Sequence, residues 1–195
     1  NTLETIRMMA LSNGDRQVSN TVSLFGKSLH YVLENTISTK ASIEKELKHI
    51  VTYLQIQKLR FDERFDYCIT QPPELNTSAY QILPLLLQPL VENAIVHGIE
   101  EIDHKCMIQI NLSLKDEENL VIDVIDDGMG MSDEALNQLN EHLLSDKSES
   151  HSSIALSNIA QRIRLFYGEG YYLKIMHHKP SGTHVQLSIP LIPYE

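Results

Sequence analysis

Long apolar runs, paired cysteines and surplus positive charge are scarce in this 195-residue sequence, and each scarcity excludes something. No apolar run reaches the roughly 18 to 20 residues needed to cross a bilayer. The run from Leu85 to Val91 is short and broken by Pro89. No signal peptide is visible, and the chain starts at Asn1 rather than Met, as a fragment or processed product would. Cys68 and Cys106 stand far apart, so they read as two reduced core thiols of a cytoplasmic protein. With 26 acidic and 16 basic residues the net charge is −10, which lacks the basic face that nucleic-acid binding needs. A phosphate ligand stays open, because a divalent metal and backbone N–H groups can supply the positive end. What the chain does have is 42% hydrophobic residues, enough for one sizeable core and a smaller appended unit.

The apolar spacing divides the chain near residue 62. Before it the pattern is helical. Leu3, Ile6 and Ala10 mark one stripe, and Asn13-Gly14-Asp15 is a turn signal. Val18, Val22, Phe25, Leu29 and Val32 then recur at spacings of four and three, and Ile43, Leu47, Ile50 and Leu54 continue the rhythm. Ser42 is placed to cap the second of these helices. Residues 1–62 therefore form a helical hairpin with a leading helix end. Two such hairpins make a four-helix bundle, so a homodimer is expected; the alternative is a hairpin packed on its own domain.

After residue 62 the period falls to two. Strands are expected at Phe65–Ile69, Ile108–Leu114, Leu120–Val124, Tyr171–Ile175 and Val185–Ile189. Leu85–His97 reads as a helix that Gly98 stops, with Pro89 early in it or kinking it. Ser132 caps a short helix, residues 143–153 form a polar loop, and Leu156–Phe166 is a further helix. The expected class is α+β: a helical hairpin, then a mixed sheet with helices on one face spanning 63–195.

Three short stretches can carry chemistry. Glu92-Asn93-Ala94-Ile95-Val96-His97-Gly98 puts Asn93 and His97 on one helix face. An amide oxygen there is a hard, neutral ligand suited to Mg²⁺; alone, the stretch is equally a solvated helix face. Asp126-Asp127-Gly128-Met129-Gly130 follows a strand directly. Its carboxylate can accept a hydrogen bond from an exocyclic amine, and its glycines let a ligand approach the backbone; alone, it is also an ordinary turn. Gly182-Thr183 opens the last strand. Their order and context say more than any one of them.

In that order the three stretches resemble the ATPase domain shared by histidine kinases, DNA gyrase, Hsp90 and MutL (the Bergerat fold). Leu83 through Gly98 and Tyr53 through Phe61 resemble the LytS/YesM-type sensor histidine kinases. Asn1-Thr2-Leu3 is similar to the tail of that group's phosphoacceptor motif, whose His would lie upstream. The resemblance implies ATP and Mg²⁺ as ligands, with Asn93 on Mg²⁺, Asp126 on the adenine amino group, and Gly128 and Gly130 beside the base. It places Gly182 and Thr183 near the nucleotide, His97 towards the phosphates, and Leu156 and Asn158 in the box that ends the lid. It further implies a response-regulator receiver domain as partner and a membrane anchor on segments outside this chain.

Two departures bear on activity. Hydrolases of this fold carry an acidic general base four residues before the Asn; here Pro89 stands there, which favours phosphoryl transfer to a protein side chain over hydrolysis. Glu92, beside Asn93, is the remaining acid that can polarise a nucleophile. The family's second glycine box is His151-Ser152-Ser153-Ile154-Ala155-Leu156-Ser157-Asn158 here, with all three glycines replaced. The expected function is the catalytic core of a sensor histidine kinase; the alternatives are a nucleotide-insensitive dimerisation module and, against the long hairpin, an anti-sigma-type serine kinase. His30 and His49 read as ordinary helix residues, and His177, His178 and His184 as chance neighbours on a hairpin rather than a metal site.

Overall fold

The computed structural model describes residues 2–36, 38–61, 64–98, 104–144 and 151–194, without the side chains of 97, 144 and 151–153. Three helices come first: α1 (Thr2–Ser12), α2 (Arg16–Asn35) and α3 (Ile43–Arg60). The Asp15 side chain accepts from Val18 N–H at 3.0 Å and starts α2. Ser42 does the same for α3, accepting from Lys45 N–H at 3.2 Å, so the expected cap is present.

The two arms of the hairpin have different fates. In α3, Ile43, Leu47, Ile50 and Leu54 are buried and join the core of the sheet domain. In α2, Phe25, Leu29 and Leu33 are exposed, Phe25 by half. Helix α1 buries no residue. So α3 packs on its own domain, while α1 and α2 keep an apolar face towards solvent.

The main sheet has five strands in the order β2-β4-β5-β7-β6. They are β2 (Phe65–Thr70), β4 (Cys106–Leu114), β5 (Asn119–Asp126), β6 (Tyr172–His177) and β7 (Thr183–Pro190). β2 runs parallel to β4 and every other neighbour is antiparallel, so the sheet is mixed as expected. Alternation sorts the faces. Ile108, Ile110, Leu120, Ile122, Val124, Val185, Leu187 and Ile189 point into the core. Helices α4 (Gln88–Gly98), α5 (Asp133–Leu144) and α6 (His151–Tyr167) pack against the sheet. The opposite face carries polar pairs such as Asp123 with His184.

Four details differ from expectation. A second sheet of three very short strands, β1 (Ala41–Ser42), β3 (Tyr80–Ile82) and β8 (Ile192–Pro193), ties the start of α3 to the chain's last residues. Helix α4 begins at Gln88 rather than Leu85, because Leu85 sits at φ 56° and a carboxylate from α3 takes the N–H groups of residues 85–87. Pro89 is then the second residue of α4, where its missing N–H costs nothing. Helix α6 starts at His151, inside the stretch expected to be loop, whose residues 145–150 lie outside the described ones. Both cysteines are free, but only Cys106 is in the core; Cys68, on the outer side of β2, is exposed.

Because α3 belongs to this core, truncating its buried face should unfold the sheet domain as well as the hairpin. Ile50→Ala is expected to lower the unfolding free energy by about 2–5 kcal/mol, read from the shift of a single urea transition followed by far-ultraviolet circular dichroism. A variant with wild-type stability would mean that α3 is only loosely applied.

Candidate functional site

The site is built where four backbone segments meet at one end of the sheet. The register places the start of β4, the end of β5 and the start of β7 side by side, with Ile108 opposite Asp126 and Ile125 opposite His184. Helix α4 ends at the same place. Gly98 lies against Asp126, so that a Cβ on Gly98 would come within 2.9 Å of its Oδ1.

Asp126 is the centre of this cluster. Its side chain faces inward, and the residue is 3% exposed. Oδ1 accepts from Gly128 N–H at 3.0 Å and from Thr183 N–H at 3.3 Å. Among the described residues both bonds fall on Oδ1 and none on Oδ2. Burial pushes this carboxyl up to about 6, against the pull of the two N–H groups; neighbouring Asp127 pushes the same way. Asp127 anchors the loop from its other side, its Oδ1 accepting from Met107 N–H at 2.7 Å. Burial, with Asp127 alongside, also raises the Cys106 thiol to about 12, so it is no nucleophile near neutrality.

The glycines are there because backbone touches backbone. Gly182 has φ 116°, and a Cβ on it would overlap the Asp126 carbonyl. A Cβ on Gly128 would overlap Gly98. Gly130 faces Gly182, whose backbone N and O lie 3.0 Å from where its Cβ would be. A cavity of about 340 Å³ opens beside Gly130 and Gly182, edged by Met129, Asp133, His177 and His178.

The structure thus gathers Asp126, Gly128, Gly130, Gly182 and Thr183, all read as site residues from the sequence. Asn93 is half-buried on α4, five residues before Gly98 and so roughly 7.5 Å along the helix axis from it. Glu92 beside it is exposed, on another side of the helix. The His97 side chain and those of His151 and Ser153 lie outside the described residues. Leu156 is buried in the core and Asn158 is exposed on α6; among the described residues no hydrogen bond brings either to Asp126. Another cavity, of about 740 Å³, lies between α2 and α3, lined by Arg16, Lys27, Gln55 and Lys58 among others; none of the site residues edges it.

Some contributors escaped the sequence reading. Gly98 was seen as a helix stop and not as the surface on which Gly128 and Asp126 rest. His49, taken as an ordinary helix residue, is buried, stacks on Tyr31 and bonds Gln88; its signal was its place on the apolar side of α3, next to Ile50. His177 pairs with Asp133 and His184 with Asp123, and no cluster of three or more metal-type ligands occurs among the described residues.

Comparison with known proteins agrees with this geometry. Residues 80–193 match the family described as histidine kinase-, DNA gyrase B-, and HSP90-like ATPase, and residues 1–65 match histidine kinase. Sensor histidine kinase YesM of Bacillus subtilis is 34% identical over 97% of this chain and 30% of its own length. Sensor protein LytS of Oceanobacillus iheyensis is 33% identical over 76% of the chain and 25% of its own length. Sensor protein kinase HptS of Staphylococcus aureus is 31% identical over 98% and 35%. The chain thus spans about a third of the length of these relatives. Among solved structures, the catalytic domain of histidine kinase ThkA superposes with a TM-score of 0.58 at 15% identity, covering 80% of this chain and 98% of that one. No described helix is long and apolar enough to cross a membrane.

The raised Asp126 carboxyl makes a signed prediction. A folded-state value near 6 against about 4 unfolded means that the folded chain holds this proton more tightly. The group's contribution is complete below about pH 4 and fades as pH rises through 6, a loss of about 3 kcal/mol. Asp126→Asn keeps the acceptor oxygen and removes the charge. Its stability advantage over wild type should therefore grow from pH 4 to pH 7 in urea unfolding. Parallel curves would show that the carboxylate is solvated in the folded protein.

Proposed function

We propose, from the premise that this chain belongs to the histidine kinase-, DNA gyrase B- and HSP90-like ATPase family and to its histidine kinases, that it is the catalytic ATP-binding core of a two-component sensor kinase. In this reading the γ-phosphate of ATP passes to a His on a helix upstream of α1, and then to an aspartate of a response-regulator receiver domain. The observation that carries it is the buried Asp126, its Oδ1 tied to two backbone N–H groups and, among the described residues, no bond on its other oxygen.

The roles follow from the chemistry of each group. Asp126 Oδ2 accepts the exocyclic amine of adenine, and the Gly128–Gly130 and Gly182 backbone offers the flat approach that a purine ring needs. Asn93, half-buried on α4, offers a neutral amide oxygen. Such a donor fits Mg²⁺, because the triphosphate itself brings the negative charge. Such an ion, held by Asn93, would supply positive charge against the phosphates. Little covalent chemistry is asked of the protein, so positioning dominates. Glu92 is exposed and lies beside Asn93, where it can polarise the incoming His. Pro89, where hydrolases of the fold hold a base, leaves water without an activator.

The chain divides in the same reading into a hairpin up to residue 62 and the ATP-binding domain from 63. The exposed faces of α1 and α2, with Phe25, Leu29 and Leu33, serve a homodimer. The whole receptor is membrane-anchored through other segments, with this part in the cytoplasm.

Calorimetric titration with a non-hydrolysable Mg-ATP analogue tests the core of it. Wild type should bind, and Asp126→Asn should bind roughly tenfold or more weakly, as for a lost charge-assisted hydrogen bond, while remaining folded. Asn93→Ala should abolish most of the difference in affinity measured with Mg²⁺ and with EDTA. No binding at millimolar nucleotide, in a chain extended to include the upstream helix, would leave the dimerisation module as the surviving reading.

A further inference from the structure

The start of α4 is held from three sides by groups that lie away from Asp126. Glu46 on α3 is fully buried and accepts four hydrogen bonds. Its Oε1 takes the N–H groups of Leu86 and Leu87, each at 2.9 Å. Its Oε2 takes Leu85 N–H at 3.0 Å and the Tyr31 hydroxyl at 2.5 Å. A carboxylate in this position satisfies the N–H groups of the segment just before the helix and, lying near its N-terminus, complements the helix dipole. Tyr31, on α2, also stacks on His49 with ring centroids 4.3 Å apart. His49 Nε2 meets the Gln88 amide oxygen at 2.7 Å. On the far side, Arg162 of α6 donates to the Pro84 and Leu85 carbonyls at 2.6 and 3.3 Å. Leu83 N–H donates to the Tyr167 hydroxyl at 3.0 Å. Leu85 stays at φ 56°, a conformation that leucine seldom adopts unless its surroundings fix it.

We propose that Tyr31 and Glu46 form a mechanical link from α2 to residues 85–87, the segment that leads into α4, with Glu46 as a positioning residue for the helix that carries Asn93. Tyr31 is the one hydrogen bond on the carboxylate that comes from α2. Helix α2 is also the arm whose apolar face is exposed, and so the arm on which a neighbouring helix can act. Movement of α2 would withdraw the hydroxyl and loosen the carboxylate's hold on residues 85–87. By linkage, a ligand that fixes α4 must in turn favour the docked position of α2. The consequence for nucleotide rests on the ATP-site reading above; the link between the helices does not.

The test compares wild type, Tyr31→Phe and Glu46→Gln in the chain 1–195, by amide hydrogen exchange and by affinity for a Mg-ATP analogue. Tyr31→Phe keeps the ring on His49 and removes only the hydroxyl. Glu46→Gln keeps the shape but offers one acceptor oxygen in place of two. Amides of 85–90 should exchange at least about threefold faster in both variants, while those of β5 and β7 keep wild-type rates in Tyr31→Phe, as expected of a local opening. Nucleotide affinity should fall several-fold in Tyr31→Phe although Tyr31 touches no site residue. Wild-type exchange at 85–90 in Tyr31→Phe would overturn the link. So would acceleration spread evenly over α4, β5 and β7, since that is general destabilisation. Faster exchange at 85–90 with unchanged affinity would overturn the positioning role of Glu46. Absence of nucleotide binding in wild type would sink the ATP-site reading, and the exchange data would still decide the link.

Discussion

Helix α4 is held between two buried carboxylates, and the rest of the molecule is arranged around that constraint. Glu46 fixes residues 85–87, which lead into it, and Asp126 lies against Gly98 at its last turn. The two are not equivalent. Glu46 receives four hydrogen bonds at the favourable end of a helix, so its burial is compensated. Asp126 receives two, both on one oxygen, and burial raises its carboxyl to about 6. A carboxyl that burial holds towards its neutral form is costly to ionise in the folded protein. Such burial is also the condition under which a ligand donor gains most from reaching the group.

The backbone follows from placing Asp126 there. Its loop must turn back within two residues, touch the end of α4, and meet the start of β7. Gly128 and Gly182 stand where those contacts would otherwise overlap. Thr183 supplies its N–H from a strand start and not from a loop, which keeps Oδ1 rigidly placed. Asn93 lies on the same helix that Gly98 ends, so its position and that of the Asp126 loop are set by one element. The hairpin enters the same design through α3, whose apolar face completes the core under α4.

Much of this was legible in the sequence, and the reason is periodic burial. One face of the five-stranded sheet is covered, so β4, β5 and β7 alternate cleanly, and the Asp-x-Gly-x-Gly loop is visible as the break at the end of one of them. Capping by Ser42 and Ser132 was legible because it is local. The three-strand sheet was not, because its strands are two or three residues long and have no period to read. The start of α4 was missed for a different reason. Leu85, Leu86 and Leu87 have the composition of a helix, and groups distant in sequence, a carboxylate from 40 residues earlier and Arg162 from α6, keep them out of it. His49 is the ordinary helix residue it reads as, but its packing was not legible, because its partners, Tyr31 and Gln88, come from other helices. The site residues Gly182 and Thr183 gained meaning only from order along the chain, and the structure explains why, since β5 and β7 are neighbours in the sheet while distant in sequence.

The claim that Asp126 reads an adenine amino group is tested most directly by comparing ATP with purine riboside triphosphate, which lacks only that amine, in ¹⁵N-resolved titrations of the chain with Mg²⁺. The account predicts that ATP shifts the Gly128 and Thr183 amides and binds at least about tenfold more tightly than the analogue. Equal affinity for the two nucleotides, with those amides unmoved by both, would contradict it.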